Sequence, residues 1–311
     1  MRGAADEAAP HYKQRIIMVF LSNLVNGLSL GSVYAIIALG YTMVYGISRM
    51  LNFAHGDVIM VGAYISFCAT SYLHMPSIAS VVLAIIVCTA MGIMIEGLAY
   101  RPLRGTGSLA VLITAIGVSY FLQNSALLIW GSAPKVFTSV VKGIPGLRLF
   151  GGQLTITSES ILTLSACIVI MAVLTLFISR SKMGKAMRAV SEDNDAARLM
   201  GINVNMTISM TFAIGSALAA IAGVLLCSSY PALMPTTGAM PGIKAFTAAV
   251  FGGIGSVPGA MLGGILLGVI EIMGRAYISS ELSDAIVFGV LILVLLVKPS
   301  GLLGKMTQEK V

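Results

Sequence analysis

From Ile16 to Ile47 the chain carries no charged side chain. A bilayer-spanning helix needs only about 20 apolar residues. The run is therefore a tilted long helix or two short segments, with Gly27 and Gly31 as the places for a break or a close helix contact. Further apolar runs follow at about 57–73, 78–100, 108–130, 160–179, 206–229, 257–278 and 284–297. Together they predict an all-α, polytopic integral membrane protein with about eight transmembrane helices. Residues 1–15 read as an N-terminal tail, 16–298 as a single permease-like membrane domain and 299–311 as a C-terminal tail. The tail's charges and Pro10 exclude an ordinary signal peptide.

Only 10% of the residues are charged, against roughly 25% in soluble domains, which excludes a soluble multidomain enzyme. Nineteen basic residues outnumber twelve acidic ones, but they cluster between apolar runs as a topology signal, so lipid and not nucleic acid is the expected surroundings. Arg101 and Arg104 in one turn, and Arg180, Lys182, Lys185, Arg188 and Arg198 in another tract, put both in the cytoplasm. Lys298, Lys305 and Lys310 put the C-terminal tail there too, and the 131–159 loop falls outside. Counting one crossing per apolar run contradicts that placement of the tail. A half-helix from Ala245 to Phe251, broken at Gly252, Gly253 and Gly255 before Pro258, removes the conflict, so a broken or re-entrant helix is expected near 243–259. The same count places the N-terminus outside unless the first run crosses twice.

No catalytic or metal site is indicated. Cys68, Cys88, Cys167 and Cys227 sit singly in apolar runs without histidine partners at ligand spacing, as buried small hydrophobes do. No Gly-x-x-x-x-Gly-Lys-Ser/Thr phosphate loop occurs, since Ala186 follows Gly184-Lys185 and Met306 follows Gly304-Lys305. The chain thus binds no ATP in that manner, and energy comes from a partner or an ion gradient.

The polar stretch 180–205 predicts a short helix with its own signals: Ser191 as N-cap, Glu192 and Asp193 in the first turn, Arg198 in the last and Gly201 as terminator. It is a rigid cytoplasmic knob or simply a solvated, topology-setting loop. Asn52, His55 and Asp57 form a polar break that marks a pathway or caps helix ends. Gly252, Gly253 and Gly255 line a pathway or serve close packing, and the four-spaced series Gly255, Gly259, Gly263 and Gly264, Gly268 read as close packing. Gly215, Ala219 and Gly223 make another small-residue face. Glu271 has Arg275 one turn on, the order of a helical ion pair, and Glu96 stands where it reaches the interface.

Asp195, Ala196, Ala197 and Gly201 resemble the Glu-Ala-Ala-xxx-Gly core by which permeases of ATP-binding-cassette (ABC) importers seat on their ATPases, although the Ile-x-Leu-Pro that follows in that motif is absent. The resemblance widens to one subfamily. Asn26 to Ile47, Leu51 to Tyr64, Tyr100 to Arg104, Ile116 to Asn124, Gly184 to Ile202, Gly242 to Glu271 and Leu291 to Gly304 are together similar to the LivH-type permease subunit of branched-chain amino acid importers. That resemblance implies a non-enzymatic subunit of a bacterial inner membrane carrying leucine, isoleucine and valine. Its partners would be a second, M-type permease, two ABC ATPase subunits that bind the ATP, and an extracytoplasmic substrate-binding protein. It also implies a coupling loop at 180–205 in which Gly184, Ala189, Glu192, Asp193, Asp195, Ala196, Ala197 and Gly201 face the ATPase. A gradient-driven secondary amino acid transporter, or a permease of the same family for urea, amides or another small zwitterion, is the alternative.

Overall fold

The computed structural model describes residues 2–149 and 154–304, with side chains in its first helix from Arg15 onward. Met1, most of the predicted C-terminal tail including Lys305 and Lys310, and the side chains of 2–14 lie outside the described residues. Helix α1 (Arg2–Ser48) is continuous, so the long apolar run is one helix crossed once. After an extended stretch come α2 (His55–Ser71) and α3 (Ser77–Ile95), the latter prolonged by a π turn at Glu96–Tyr100 and a 3-10 turn at Arg101–Leu103. Then follow α4 (Ser108–Trp130), α5 (Ser158–Arg180), α6 (Lys182–Glu192), α7 (Asn194–Leu199), α8 (Val204–Ser229), α9 (Ala239–Gly252), α10 (Val257–Tyr277) and α11 (Ser283–Val297). Six helices are long and apolar enough to cross a membrane, and the shorter α2 and α11 account for the other two predicted spans.

Glycine sets the central packing, as expected where lipid offers no hydrophobic drive between helices. Gly27 and Gly31 of α1 meet the backbone of α10 at Val269 and Ile265, and Gly264 and Gly268 meet α1 in return at Ala35 and Gly31. They mark a contact and not a break. Gly223 of α8 packs on Ile59 of α2, and Gly259 and Gly263 of α10 pack on α9. Gly255 departs from this series, because nothing lies near where its Cβ would stand. Its φ of +90° shows that the backbone turn, not helix packing, calls for glycine there.

The predicted broken helix is present and longer than expected. Helix α9 ends at Gly252, Gly253 takes φ +106°, and the chain reverses into α10. The carbonyls left open at the end of α9 accept from the C-terminal segment, Leu302 N–H to Phe251 O at 2.9 Å and Leu303 N–H to Gly252 O at 2.9 Å. The segment at Leu302 and Leu303 therefore lies where α9 terminates.

Short antiparallel strand pairs close the other end: β1 (Lys135–Val136) with β4 (Ala232–Leu233), and β2 (Leu147–Leu149) with β3 (Leu154–Ile156). Cys88, Cys167 and Cys227 are buried and Cys68 is half-buried, all as free thiols.

Candidate functional site

The knob at the basic end is assembled from two helices rather than one. Ser181 ends α5 and starts α6, its Oγ accepting the Gly184 N–H at 2.8 Å. The turn is tight enough that a Cβ on Gly184 would stand 2.5 Å from the carbonyl oxygens of Phe177 and Ile178. Gly184, Met187 and Val190 form the buried face of α6, with Ala189 half-buried beside them.

The predicted cap is displaced by two residues. Ser191 lies within α6 and its hydroxyl donates back to the Arg188 carbonyl, while Glu192 is the last residue of that helix. Asp193 is the N-cap of α7: its Oδ1 accepts from the Asp195 and Ala196 N–H groups at 2.8 and 3.0 Å. Those two donors, helped by the Arg49 cation, hold its carboxyl below the usual carboxylate range. Burial of Met187 and Val190 carries α6 past Ser191, which explains why the first acceptor in the sequence is not the one used.

Helix α7 ends where the sequence places its stop. Gly201 takes φ +80°, its N–H reaches the Arg198 carbonyl, and Ile202 N–H reaches the Ala197 carbonyl. Ala197 is buried under the knob, whereas Glu192, Asp193, Asp195, Ala196 and Gly201 are exposed. The tip adds two residues that the sequence reading missed, Leu199 and Met200, 89% and 82% exposed.

Side chains from three other segments brace this end. Arg49 donates to the Ser191 carbonyl at 3.3 Å, and Arg104 donates to the Asn205 side chain at the start of α8. Glu96 does not reach outward. It is fully buried and accepts from Arg101, Arg104 and the Ser209 hydroxyl, clamping the 101–104 turn to α8.

Deeper in the bundle, Asn52, His55 and Asp57 are all buried. Asn52 Oδ1 accepts from the Tyr100 hydroxyl at 2.9 Å, and Asp57 Oδ1 accepts from the Gln123 amide at 2.8 Å. His55 packs edge-on against Tyr41, with ring centroids 4.6 Å apart, and its Nε2 finds no partner. The next residue, Gly56, touches Gly238 and Gly242, so the starts of α2 and α9 meet backbone to backbone. These three polar residues join helices α1 to α4. They line neither of the two cavities described next, and nor do Gly252, Gly253 and Gly255.

The larger cavity, about 690 Å³, opens between the middle of α1, the start of α5 and the ends of α8 and α10, with Asn23, Glu159, Ser228 and Arg275 among its walls. A smaller one, about 230 Å³, lies further in at the start of α9, bordered by Leu30, Tyr230 and Arg275 in common with the first. The expected Glu271–Arg275 pair forms, but inside a larger group. Lys244 of α9, 5% exposed, lies 2.7 Å from Glu271 and 2.7 Å from Asp284, and the Tyr34 hydroxyl donates to Glu271 Oε2 at 2.9 Å. Among the described residues no group of histidine, cysteine and carboxylate side chains could hold a metal ion.

A membrane bundle with a braced polar knob at one end, two cavities away from it and a short helix, α9, that starts beside the smaller cavity suits a transport component. Comparison with known proteins agrees. Residues 23–295 match the family described as branched-chain amino acid transport system, permease component. The chain is 50% identical over 94% of its length to the high-affinity branched-chain amino acid transport system permease protein BraD of Pseudomonas aeruginosa, covering 98% of that protein. It is 48% identical over 94% of its length to LivH of Escherichia coli K12, again covering 98%. LivM of the same strain is 26% identical over 88% of this chain, which spans 68% of LivM. With the glycine contacts, the knob and all but the first part of α1 and the last two residues of α11 inside the matched region, the chain belongs to the family of branched-chain amino acid transport permeases.

Proposed function

We propose that this chain is the LivH-type permease subunit of a binding-protein-dependent ABC importer in a bacterial inner membrane, moving leucine, isoleucine and valine into the cytoplasm. Near-full-length identity to BraD and LivH carries the reading. The α6–α7 knob is the part that ATPase subunits would push: Leu199 and Met200 present an apolar tip, and Glu192, Asp193, Asp195 and Ala196 surround it. The related LivM supports a second permease of similar architecture as the partner in the membrane. The chain itself acts as a conduit without enzymatic activity or cofactor, and ATP is bound by the partner subunits.

Basic side chains from Arg49, Arg104 and the 180–205 tract gather at one end of the bundle, and that end is the cytoplasmic one. The cavities then open toward the side where a substrate-binding protein docks. Alternating exposure of the central region would pass substrate inward.

The test is reconstitution. This chain, the second permease and the ATPases in liposomes should accumulate leucine only with internal ATP and external binding protein. Leucine uptake by this chain alone would overturn the reading. Calorimetry on the cognate binding protein with leucine, isoleucine, valine, urea and small amides checks the substrate class.

A further inference from the structure

The cavity at the start of α9 is lined in two halves. Leu30, Leu226, Met240 and Pro241 make an apolar wall, and Tyr34, Lys244, Glu271 and Arg275 make a polar one. Adding Asp284, which reaches the Lys244 ammonium, gives two cations and two anions and no net charge. The Lys244–Glu271 pair at the centre of this cluster is buried, and a buried ion pair is a poor way to hold helices together, since well-packed apolar residues do so as well or better. Ionisable groups at membrane depth beside an open space mark a place where a polar cargo is handled.

We propose that this cavity is a binding subsite for one zwitterionic amino acid with a short, branched, uncharged side chain. Its carboxylate faces Arg275 and Lys244, its ammonium faces Glu271, and its side chain lies against Leu226, Met240 and Pro241. The assignment rests on the importer function proposed above and adds where within this subunit the cargo pauses.

Three observations converge on that ligand class. First, the cluster is neutral. A ligand bearing both charges exchanges partners with it and leaves the total at zero, whereas a lone cation or anion leaves an uncompensated charge in a low-dielectric interior. Second, about 230 Å³ is the size of a single small molecule, below the range usual for drug-sized ligands. Third, the site has an entrance. Leu30, Tyr230 and Arg275 border both cavities, which therefore adjoin one another across these side chains. The Arg275 side chain, 39% exposed, is the cation that an arriving carboxylate meets first. The connection between α8 and α9, which includes strand β4, contributes Ala232 and Thr237 to the wall beside the start of the short helix α9.

The experiment uses the complete transporter in proteoliposomes with internal ATP and loaded binding protein, and compares leucine with valine uptake. Leu226→Phe and Met240→Trp narrow the apolar wall and are expected to cut leucine uptake about tenfold or more while reducing valine uptake less, given what one or two methylenes are worth in a pocket. Leu226→Ala widens the wall and is expected to move the leucine-to-valine ratio the opposite way. Complex assembly and ATP hydrolysis measured on the same samples report folding, and Met240, 42% exposed, supplies a variant independent of the buried Leu226. Equal effects on both substrates in every assembled variant would overturn the subsite and leave the importer function standing. Failure of the unaltered complex to import either amino acid would overturn the importer function, and the subsite with it.

Discussion

Gly268 of α10 lies so close to Gly31 of α1 that a methyl group on Gly268 would overlap the Gly31 backbone, and one on Gly31 would stand 2.6 Å from the Ile265 carbonyl oxygen. Two backbones in contact leave no side chain to yield. Gly268→Leu is therefore expected to destabilise the protein by about 3 kcal/mol, the upper part of the range for overpacking. Thermal unfolding in detergent checks this, with Gly117→Leu as the control, since nothing lies within 4 Å of the position a Gly117 Cβ would take.

Gly201 holds φ +80° with open space around it, so the effect of substitution there is one of backbone conformation alone. Gly201→Val should strain the end of α7 by about 1–2 kcal/mol and weaken ATPase association, while Gly201→Asn should be milder. Co-purification of the ATPase subunits with each variant is the measurement. Undiminished association of the valine variant would remove α7 from the docking surface.

Asp193 is an exposed cap with a depressed pKa. Its contribution is complete above the unfolded-state value of about 3.9 and fades as pH falls through the lower folded-state value. Between pH 5 and 8 the knob should show no dependence on this group. Asp193→Asn should keep the cap and Asp193→Ala should lose it. Hydrogen exchange at the Asp195 and Ala196 amides, faster in the alanine variant only, distinguishes the two.

Leu199 and Met200 make no demand on the fold, being almost fully exposed. Leu199→Asp with Met200→Asp is expected to leave the melting temperature of the isolated chain within about a degree or two, as surface changes do. The same pair should weaken ATPase association at least about tenfold, the scale of a buried apolar anchor in an interface. A melting shift that accounts for the lost association would show that the tip is structural.

Glu96 is fully buried while its Arg101 and Arg104 partners are 47% and 16% exposed. Glu96→Ala leaves Arg104 without its counter-charge and should cost about 3 kcal/mol, the low end for a broken buried pair because the arginines still reach water. Chemical or thermal denaturation against Glu96→Gln, which keeps a partner for Ser209, measures the difference.

What could be read from the sequence was whatever depends on neighbours along the chain. The charge-free run of α1, the left-handed Gly201 and the glycine break at Gly252 and Gly253 are local matters, and all stand as expected. The choice between Ser191 and Asp193 as cap was not local. It follows from Met187 and Val190 being buried, which extends α6 past the first acceptor. Lys244 escaped notice for a similar reason. Its partners stand on α10 and α11, 27 residues away in the case of Glu271, and no periodic pattern joins them. The same holds for Glu96, whose burial is completed by Ser209 on α8.

The contact of Gly56 with Gly238 and Gly242 ties the two shortened helices, α2 and α9, at their starting points. Only backbone stands at the joint, so there is no side chain there to yield. His55 and Asp57 ride on one arm of this linkage and Lys244 on the other. Gly223 of α8 packs in turn on Ile59 of α2, so the Lys244 salt bridges and the helix that follows the cytoplasmic knob are both built onto the same α2 segment.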